Sequence, residues 1–387
     1  MYNFDKPIDR TNSFSEKWDK YKGKDIIPLW VADSDFETAP EIVKALQERV
    51  AHGVFGYTTQ PTSAVKDAIV YHLSTQYGWQ IGRDWIVPLP SLVRGLSLSC
   101  AIAGDEGDSV ITPQTIYPPF KYVIENEKRQ IINVPMRLDK DERWVLDTKA
   151  LEKSIAADTK LLLFCNPHNP AGTVYTRQEL EQIHAICKRH DLLICSDEIH
   201  CDLILDTDKK HIPLATLNDD AANRSITLMA ASKTFNVAGL GFGFAIIPNV
   251  KLRDKYKVLV RQTMPDINVL AQTATEAAFK FGENWRLQQI EYLRANRDYL
   301  MQEINSIEGM KMYPLEATYL AWIDISGLGL KDPEVFFEDA GVGISAGKYF
   351  GDDNFIRVNF ACRRGLLEEA MKRIKEGLNS TNINGLI

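Results

Sequence analysis

The middle of the chain alternates short apolar runs with amphipathic stretches. Between two of the runs, residues 177–190 carry apolar side chains at helical spacing, which predicts a crossover helix. The runs themselves are nearly continuous in apolar character, as is typical of strands that helices cover on both faces. They lie at residues 109–112, 130–134, 161–165, 192–196, 226–229 and 243–247. This alternation predicts a largely parallel α/β sheet, with functional groups gathered at the carboxyl ends of its strands.

The pattern changes after about residue 250. Long helical stretches follow, including residues 285–307, and then two strand-like runs at 319–323 and 355–360. We therefore expect an α/β protein with a three-layer, mostly parallel sheet in a large domain and a smaller α+β domain. The expected divisions are an N-terminal arm that forms part of the small domain (1–45), the large domain (46–280) and the small C-terminal domain (281–387).

Charge and composition restrict the class of partner and compartment. The 387 residues carry a formal net charge of −7. Nucleic acids and anionic membranes are usually held by a basic surface, so we expect neither as a partner. No apolar run approaches the ~20 residues that a membrane helix needs. The six cysteines show no Cys-x-x-Cys pair and no metal-ligand spacing, so we expect buried, reduced thiols and no metal site. We expect a cytoplasmic protein.

Two polar segments directly follow apolar strands. Residues 166–172 read Asn-Pro-His-Asn-Pro-Ala-Gly, a rigid turn that can direct Asn169 into a crevice or can be an ordinary loop. Asp197 follows the next strand, where it could cap a helix or pair with a protonated ring nitrogen of a bound cofactor. His200, three residues later, could be a structural histidine or lie beside that cofactor.

Two cationic side chains lie beside or within apolar runs, where a buried charge would need a compensating partner. Lys233 follows the run at 226–229, and a desolvated lysine with a lowered pKa forms Schiff bases with carbonyl compounds. The neighbouring Ser232 could donate a hydrogen bond to a phosphate. Arg357 interrupts the strand-like run at 355–360, where it could form a surface salt bridge or bind a substrate carboxylate with two parallel hydrogen bonds.

In this order the four features resemble the fold-type I, pyridoxal-5′-phosphate (PLP)-dependent enzymes of the class I/II aminotransferase superfamily. Asn169 precedes Asp197 by 28 positions, and Asp197 precedes Lys233 by 36, which is similar to the spacing in that superfamily. Shorter motifs resemble its cystathionine β-lyase-like (MalY/PatB-like) branch of carbon–sulfur lyases. These motifs lie at residues 4–10, 28–33, 52–57, 117–120, 166–170, 196–200 and 232–240.

The resemblance implies a PLP cofactor and assigns residues to its ring. Lys233 should form the Schiff base and then act as the base at the substrate's Cα. Tyr117 should stack on the pyridine ring, and Asn169 should bond the ring hydroxyl, with His200 near it. Asp197 should keep the ring nitrogen protonated, which makes the ring an electron sink.

The resemblance also implies how the phosphate and the substrate are held. The backbone N–H groups of Leu92 and Val93, at a predicted helix N-terminus, should bind the phosphate together with Ser232. Tyr57 should reach this phosphate from a neighbouring subunit, which implies a homodimer with its active sites at the interface. Arg357 should bind the carboxylate of a small amino-acid substrate.

Four positions depart from the usual pattern. Ser91 replaces a glycine of the phosphate loop, and Gly241 stands where many aminotransferases place a phosphate-binding arginine. Ser34 and Arg363 replace a common methionine and a common proline. Gly241 favours the lyase branch, Ser91 indicates a different backbone in the phosphate loop, and Ser34 and Arg363 suggest a specialised substrate.

The predicted activity is cleavage of an S-substituted cysteine to a thiol, pyruvate and ammonia. An aminotransferase with the same cofactor remains an alternative, as does a non-enzymatic regulatory or binding protein on this fold. The group beyond the sulfur stays open, because cystathionine, cystine, an S-alkyl cysteine and a cysteine sulfoxide conjugate share the same amino-acid end.

Overall fold

The computed structural model describes residues 2–58 and 61–383. Each of the eight strand-like runs predicted from the sequence coincides with a strand, and the structure contains further strands that the sequence pattern did not predict. The strands are β1 (Ile27–Pro28), β2 (Ile86–Leu89), β3 (Ser109–Pro113), β4 (Gln130–Val134), β5 (Met136–Leu138), β6 (Trp144–Leu146), β7 (Thr159–Cys165), β8 (Leu193–Asp197), β9 (Ser225–Met229), β10 (Gly243–Ile246), β11 (Lys311–Met312), β12 (Leu320–Asp324), β13 (Val342–Gly343), β14 (Ser345–Ala346) and β15 (Phe355–Asn359).

The helices account for most of the remaining regular structure. They are α1 (Glu16–Asp19), α2 (Pro40–Ala51), α3 (Ser63–Tyr77), α4 (Leu92–Ala103), α5 (Pro119–Asn126), α6 (Thr148–Ser154), α7 (Arg177–Arg189), α8 (Asp219–Arg224), α9 (Val250–Thr263), α10 (Val269–Phe281), α11 (Glu283–Asn305), α12 (Pro333–Asp339) and α13 (Arg364–Ile383). Short 3₁₀ turns lie at Arg83–Trp85, Leu214–Thr216, Ala238–Leu240, Ser326–Leu328 and Gly347–Tyr349.

The largest sheet in the described residues has seven strands in the order β2-β10-β9-β8-β7-β3-β4. Its neighbours pair in parallel except β10, which runs antiparallel to both β2 and β9. The prediction of a mostly parallel sheet is therefore confirmed. Strand β4 differs from the expectation, because it is an edge strand with two exposed positions rather than a strand covered on both faces.

Strand β7 shows why these strands appear as continuous apolar runs. Leu161 and Leu163 pack into a core with α4, α5 and α9, whereas Leu162 and Phe164 pack into a second core with α7. Successive side chains of a strand point to opposite faces, so a strand between two helical layers needs apolar residues throughout. Each such side chain contributes about 1.5–3 kcal/mol when it is fully buried. The three layers follow from this double burial.

Helix α7 begins where its sequence predicts. Thr176 caps it by accepting the N–H of Glu179, and the Glu179 carboxylate accepts the N–H of Thr176 at 2.7 Å. This reciprocal capping box satisfies two N–H groups that the first turn leaves free. The predicted crossover helix at 177–190 is thus observed as Arg177–Arg189, connecting the parallel strands β7 and β8.

A second sheet of four strands has the order β11-β12-β15-β14 in the described part of the chain. It contains both strand-like runs predicted after residue 300. The N-terminal β1 pairs in parallel with β13, with Ile27 opposite Val342, so N-terminal and C-terminal residues pack together. The domain boundaries near residues 45 and 280 remain a prediction.

The six cysteines are free and buried, as expected. Within residues 2–58 and 61–383, none of the helices combines the length and the apolar character that crossing a membrane requires.

Candidate active site

The carboxyl ends of three adjacent strands meet at one edge of the seven-stranded sheet. Cys165 at the end of β7 lies opposite Asp197 at the end of β8, and Asp197 lies opposite Leu228 of β9. The segments that follow these strands carry Asn169 and Lys233. Parallel strands deliver their carboxyl ends to a common crevice, which is why residues far apart in sequence gather here.

Cys165, Asn169, Asp197 and Lys233 line a cavity of about 180 Å³. The cavity contains every residue that the sequence predicts for the cofactor except Tyr57. Those that line it are Leu92, Val93, Tyr117, Asn169, Asp197, His200, Ser232 and Lys233. Tyr57 lies instead on the surface, where its side chain is fully exposed.

The N-terminus of α4 forms one wall of this cavity. Ser91 is its N-cap and accepts the N–H of Arg94 at 3.4 Å, so the departure from glycine provides a capping hydroxyl. The first N–H groups of a helix have no partner within the helix, and Leu92 and Val93 are the first two residues of α4. Such a terminus favours an anion by hydrogen bonding and by the helix dipole.

Gly241 faces this wall in a left-handed conformation with φ of +69°. A Cβ at this position would lie 3.3 Å from the carbonyl oxygen of Pro90, so the backbone here suits glycine. An arginine at position 241 would be strained in this conformation.

Asp197 is an electrostatically costly group at the floor of the cavity. It is buried, and its Oδ1 accepts the N–H of Ile199 at 3.1 Å. Burial raises the pKa of its carboxyl to about 7, with Glu198 adding to the rise and Lys233 opposing it. A buried carboxylate of this kind favours a cationic N–H partner, which would return the pKa toward its usual range.

Burial also shifts the pKa of Lys233, in the direction opposite to that of Asp197. Burial lowers the pKa of its amine to about 8, while the charge of Asp33 opposes the change. Roughly a tenth of the amine is then neutral at pH 7, against a negligible fraction for an ordinary lysine. Its Nζ donates to the carbonyl oxygen of Ala32 at 2.6 Å.

Arg357 lies in a second cavity of about 390 Å³ that adjoins the first. Its Nη1 donates to Oδ1 of Asn169 at 3.1 Å, and its Nη2 donates to the carbonyl oxygen of Trp30 at 3.0 Å. Its guanidinium carbon lies 4.6 Å from the centroid of the Phe350 ring. Burial lowers its pKa to about 10, so the group stays cationic at neutral pH. The alternative of a surface salt bridge is wrong, because Arg357 is buried.

Lys233 stands where the two cavities meet. Ala32, Tyr117 and Lys233 line both of them. Burial raises the pKa of the Tyr117 hydroxyl, so Tyr117 presents a neutral aromatic ring to both sides. The lysine amine is thus positioned between a region with a helix N-terminus and a region with a buried arginine.

His200 is a neutral histidine in this setting. Burial lowers its pKa to about 3, and the charges of Lys233 and Arg357 act in the same direction. Its Nδ1 is buried and has no hydrogen-bond partner among the described residues. A buried polar atom in a cavity wall fits a polar ligand, because leaving it unpaired is costly.

The residues therefore fit the cofactor that the resemblance implies. A helix N-terminus that favours anions, a buried carboxylate, an unpaired imidazole nitrogen and a partly neutral lysine line one cavity. Sequence reasoning missed other groups at the site, namely the carbonyl oxygen of Ala32 and the side chains of Tyr319 and Phe350. The only sequence feature of Tyr319 is its place at the start of a predicted strand, which carries no functional information.

Comparisons with known proteins place these observations in a family. The family described as aminotransferase class I and II matches residues 24–374. Cystathionine beta-lyase PatB of Bacillus subtilis (strain 168) is 36% identical over 97% of this chain and 100% of that protein. Protein MalY of Escherichia coli (strain K12) is 32% identical over 96% of this chain and 97% of that protein.

Solved structures agree with this assignment. The crystal structure of OvoB is 47% identical, with a TM-score of 0.95 over 98% of this chain and 100% of that one. Cystalysin from Treponema denticola, whose structure contains a pyridoxal 5′-phosphate cofactor, is 32% identical, with a TM-score of 0.93 over 98% of this chain and 99% of that one. The chain belongs to the aminotransferase class I and II family, in its cystathionine β-lyase branch.

Proposed function

We propose that the protein is a PLP-dependent carbon–sulfur β-lyase that converts an S-substituted cysteine into a thiol, pyruvate and ammonia. The observation that carries the proposal is the position of Lys233 between a cavity with an anion site and buried Asp197 and a cavity with buried Arg357. The lyases named among the relatives support the reaction type. Six free, buried thiols suit a reducing compartment, so we propose the cytoplasm as its location.

The first cavity has residues for each part of the cofactor. Bound PLP supplies an electron sink that stabilises negative charge at the substrate's Cα. We propose that the N–H groups of Leu92 and Val93, with the Ser232 hydroxyl, hold its phosphate. Ionised Asp197 pairs with the ring nitrogen.

Three further side chains in this cavity complete the proposed contacts with the cofactor ring. Tyr117 covers one face of the ring, while Asn169 and neutral His200 bond to the ring hydroxyl.

In the second cavity, we propose that Arg357 binds the substrate carboxylate through the nitrogens of its guanidinium group. Its bond to Asn169 and the Phe350 ring hold that group in one orientation.

The neutral amine of Lys233 takes the Cα proton and becomes an ammonium. The Cβ–S bond then breaks with its electron pair on sulfur, and Lys233 is the proton donor for the departing thiolate. Water converts the released aminoacrylate to pyruvate and ammonia.

A multiple-turnover assay tests the reaction type. The protein is given an S-substituted cysteine with and without 2-oxoglutarate, and pyruvate and free thiol are followed. A lyase releases both products without a keto acid, whereas an aminotransferase stops after one turnover. Product that forms only with 2-oxoglutarate, with the sulfur still on the carbon skeleton, would establish the aminotransferase alternative.

We further propose that the functional unit is a homodimer in which Tyr57 contacts the phosphate at the partner's site. The supporting observation is an exposed apolar segment, in which Val54 and Phe55 are 60% and 56% exposed and Tyr57 is fully exposed. Aromatic side chains of this kind are enriched at protein interfaces.

Subunit mixing tests the arrangement. Homodimers of Lys233→Ala and of Tyr57→Ala should both be impaired, whereas a mixed dimer combines the intact Lys233 of one subunit with the intact Tyr57 of the other. Mixing the two variants should therefore restore activity. A monomer by light scattering, or no gain on mixing after subunit exchange is demonstrated, would contradict the proposal.

A further inference from the structure

The backbone of residues 30–33 runs across the site and is held by side chains of strand β15. The carbonyl oxygen of Trp30 accepts a hydrogen bond from Arg357. The carbonyl oxygens of Val31 and Asp33 both accept from Nδ2 of Asn359, each at 2.6 Å. The carbonyl group of Ala32, between these two, is therefore fixed in direction.

The Ala32 carbonyl oxygen accepts two hydrogen bonds. One comes from Nζ of Lys233 at 2.6 Å, and the other comes from the hydroxyl of Tyr319 at 3.1 Å. A carbonyl oxygen has two lone pairs, so these two donors fill its accepting capacity. Tyr319 is buried, and burial raises the pKa of its hydroxyl, so the group remains a donor.

The backbone before Tyr319 is held in an unusual conformation. Thr318 has a φ of 73°, which is rare for a β-branched residue. Its N–H donates to the carbonyl oxygen of Leu203 at 2.9 Å, and its Oγ1 accepts the N–H of Leu320 at 3.1 Å. Such conformations persist where surrounding contacts impose them, and they concentrate at functional sites. Here the conformation precedes the residue whose hydroxyl reaches Ala32.

We propose that Tyr319 is a positioning residue for the reaction, because it holds the Ala32 carbonyl that fixes the free amine of Lys233. The proposal rests on the proposed function in that Lys233 acts as the base. When the Cα–H bond breaks, its proton forms a new N–H bond on Lys233, and the electron pair passes to the bound cofactor. The new ammonium then donates to the Ala32 carbonyl, whose direction Tyr319 and Asn359 maintain.

The test compares Tyr319→Phe with a matched control, Tyr256→Phe. Tyr256 is also fully buried, and its hydroxyl also donates to a backbone carbonyl, that of Gly95, at 2.9 Å. Both substitutions therefore remove one buried hydroxyl and keep the ring. Circular dichroism and thermal unfolding of the holoenzymes establish that the two variants are folded.

The first measurement is the exchange of the Cα proton of L-alanine with solvent deuterium, followed by proton NMR on the holoenzyme. Alanine has no leaving group, so exchange reports proton transfer without cleavage. Tyr319→Phe should slow exchange at saturating alanine about tenfold, which matches the loss of one buried hydrogen bond. The half-saturating concentration should stay near that of the wild type, because Arg357 still binds the carboxylate.

The second measurement needs no activity. Competitive acylation of the cofactor-free protein, resolved by peptide mass spectrometry, gives the ionisation midpoint of Lys233. The wild type should titrate near pH 8. Tyr319→Phe should raise the midpoint by about half a unit, because the hydroxyl dipole no longer competes for the shared carbonyl. Tyr256→Phe should leave it unchanged.

The outcomes separate this proposal from the proposed function. An exchange rate in Tyr319→Phe within about twofold of the wild type, with an unchanged Lys233 midpoint, would overturn the role of Tyr319. An equal loss of exchange in Tyr256→Phe would overturn it as well. Should the wild type exchange alanine but release no pyruvate from S-substituted cysteines, the lyase function would fail, while slower exchange in Tyr319→Phe alone would still support the positioning role.

Discussion

Replacing Asp197 with asparagine changes one buried charge and little else, so we expect opposite effects on the cofactor-free protein and on the holoenzyme. Without a cationic partner, the folded protein holds the Asp197 carboxyl in a desolvated site with one hydrogen bond from Ile199. Asparagine has almost the same shape and cannot ionise. We predict that Asp197→Asn stabilises the cofactor-free protein at alkaline pH and weakens cofactor binding.

The size of the effect follows from the pKa. Burial raises the carboxyl from its ordinary 3.8 to about 7 in the folded state. A rise of about three units corresponds to about 4 kcal/mol of folding free energy lost above pH 7, where the carboxyl is ionised in both states. Because the folded state binds the extra proton, this loss shrinks as the pH falls from 7 to 4. An imperfectly bonded asparagine amide costs about 1–3 kcal/mol, so a net gain of about 1–3 kcal/mol remains at pH 8.5.

The assay is thermal unfolding of cofactor-free wild type and Asp197→Asn at pH 8.5 and pH 5.5. The variant should melt a few degrees higher at pH 8.5 and lose most of that advantage at pH 5.5. Asp220→Asn provides a control of opposite sign. Hydrogen bonding to Arg224, together with His184, lowers the pKa of the Asp220 carboxyl, so its ionised form stabilises the fold above its unfolded pKa. Asp220→Asn should therefore lower the melting temperature at pH 8.5.

With cofactor present, the Asp197 carboxylate should be an advantage, so the wild type should perform better than Asp197→Asn. Ionised Asp197 is proposed to pair with the ring nitrogen, and that pair is worth a few kcal/mol in a desolvated site. The variant should show a raised Kd for PLP by fluorescence titration and a lower kcat. If cofactor-free Asp197→Asn melts no higher than the wild type at pH 8.5, or keeps its full advantage at pH 5.5, the argument from desolvation is wrong.

Three other substitutions test single groups at the site. Lys233→Ala should lose the yellow absorbance that borohydride bleaches and reduce kcat by orders of magnitude; a colourless but active variant would exclude Lys233 from the chemistry. Arg357→Lys should raise KM at least tenfold without changing the cofactor spectrum, because an ammonium cannot make two parallel bonds to a carboxylate. An unchanged KM would assign the carboxylate to another group. Gly241→Ala should cost about 1 kcal/mol in chemical denaturation because of its left-handed backbone, and equal stability would contradict the strain.

The buried strands and the functional residues that follow them were predictable, because burial on both faces produces a recognisable local pattern in the sequence. A strand such as β7, buried on both faces, reads as an uninterrupted apolar run, and the residues just after it reach the crevice. Asn169, Asp197 and Lys233 each follow such a run, so sequence alone predicts that they converge. Strand β4 shows what this pattern does not predict. Its apolar residues mark a strand, but they do not indicate that it lies at the edge of the sheet and is partly exposed.

The contacts to the Ala32 carbonyl could not be predicted, because they join residues that are far apart in the sequence. The bond from Lys233 to Ala32 spans 201 positions, and the bond from Tyr319 to the same carbonyl spans 287. A backbone carbonyl has no sequence identity, so no motif marks it. The direction of the Ala32 carbonyl depends on Asn359, whose role appears only when the second sheet is packed against the N-terminal segment.

A single physical cause connects the two charged groups nearest the proposed chemistry. Burial brings the pKa of Asp197 up to about 7 and the pKa of Lys233 down to about 8, so both groups titrate close to neutral pH. Exposed groups would have a fully ionised carboxylate and a fully protonated amine at that pH, and the amine could not accept a proton. In the proposed reaction, the cover over the site, including residues 30–33, therefore serves to keep part of the Lys233 amine neutral by excluding water. The Ala32 carbonyl then provides the polar contact that the desolvated Lys233 amine would otherwise lack.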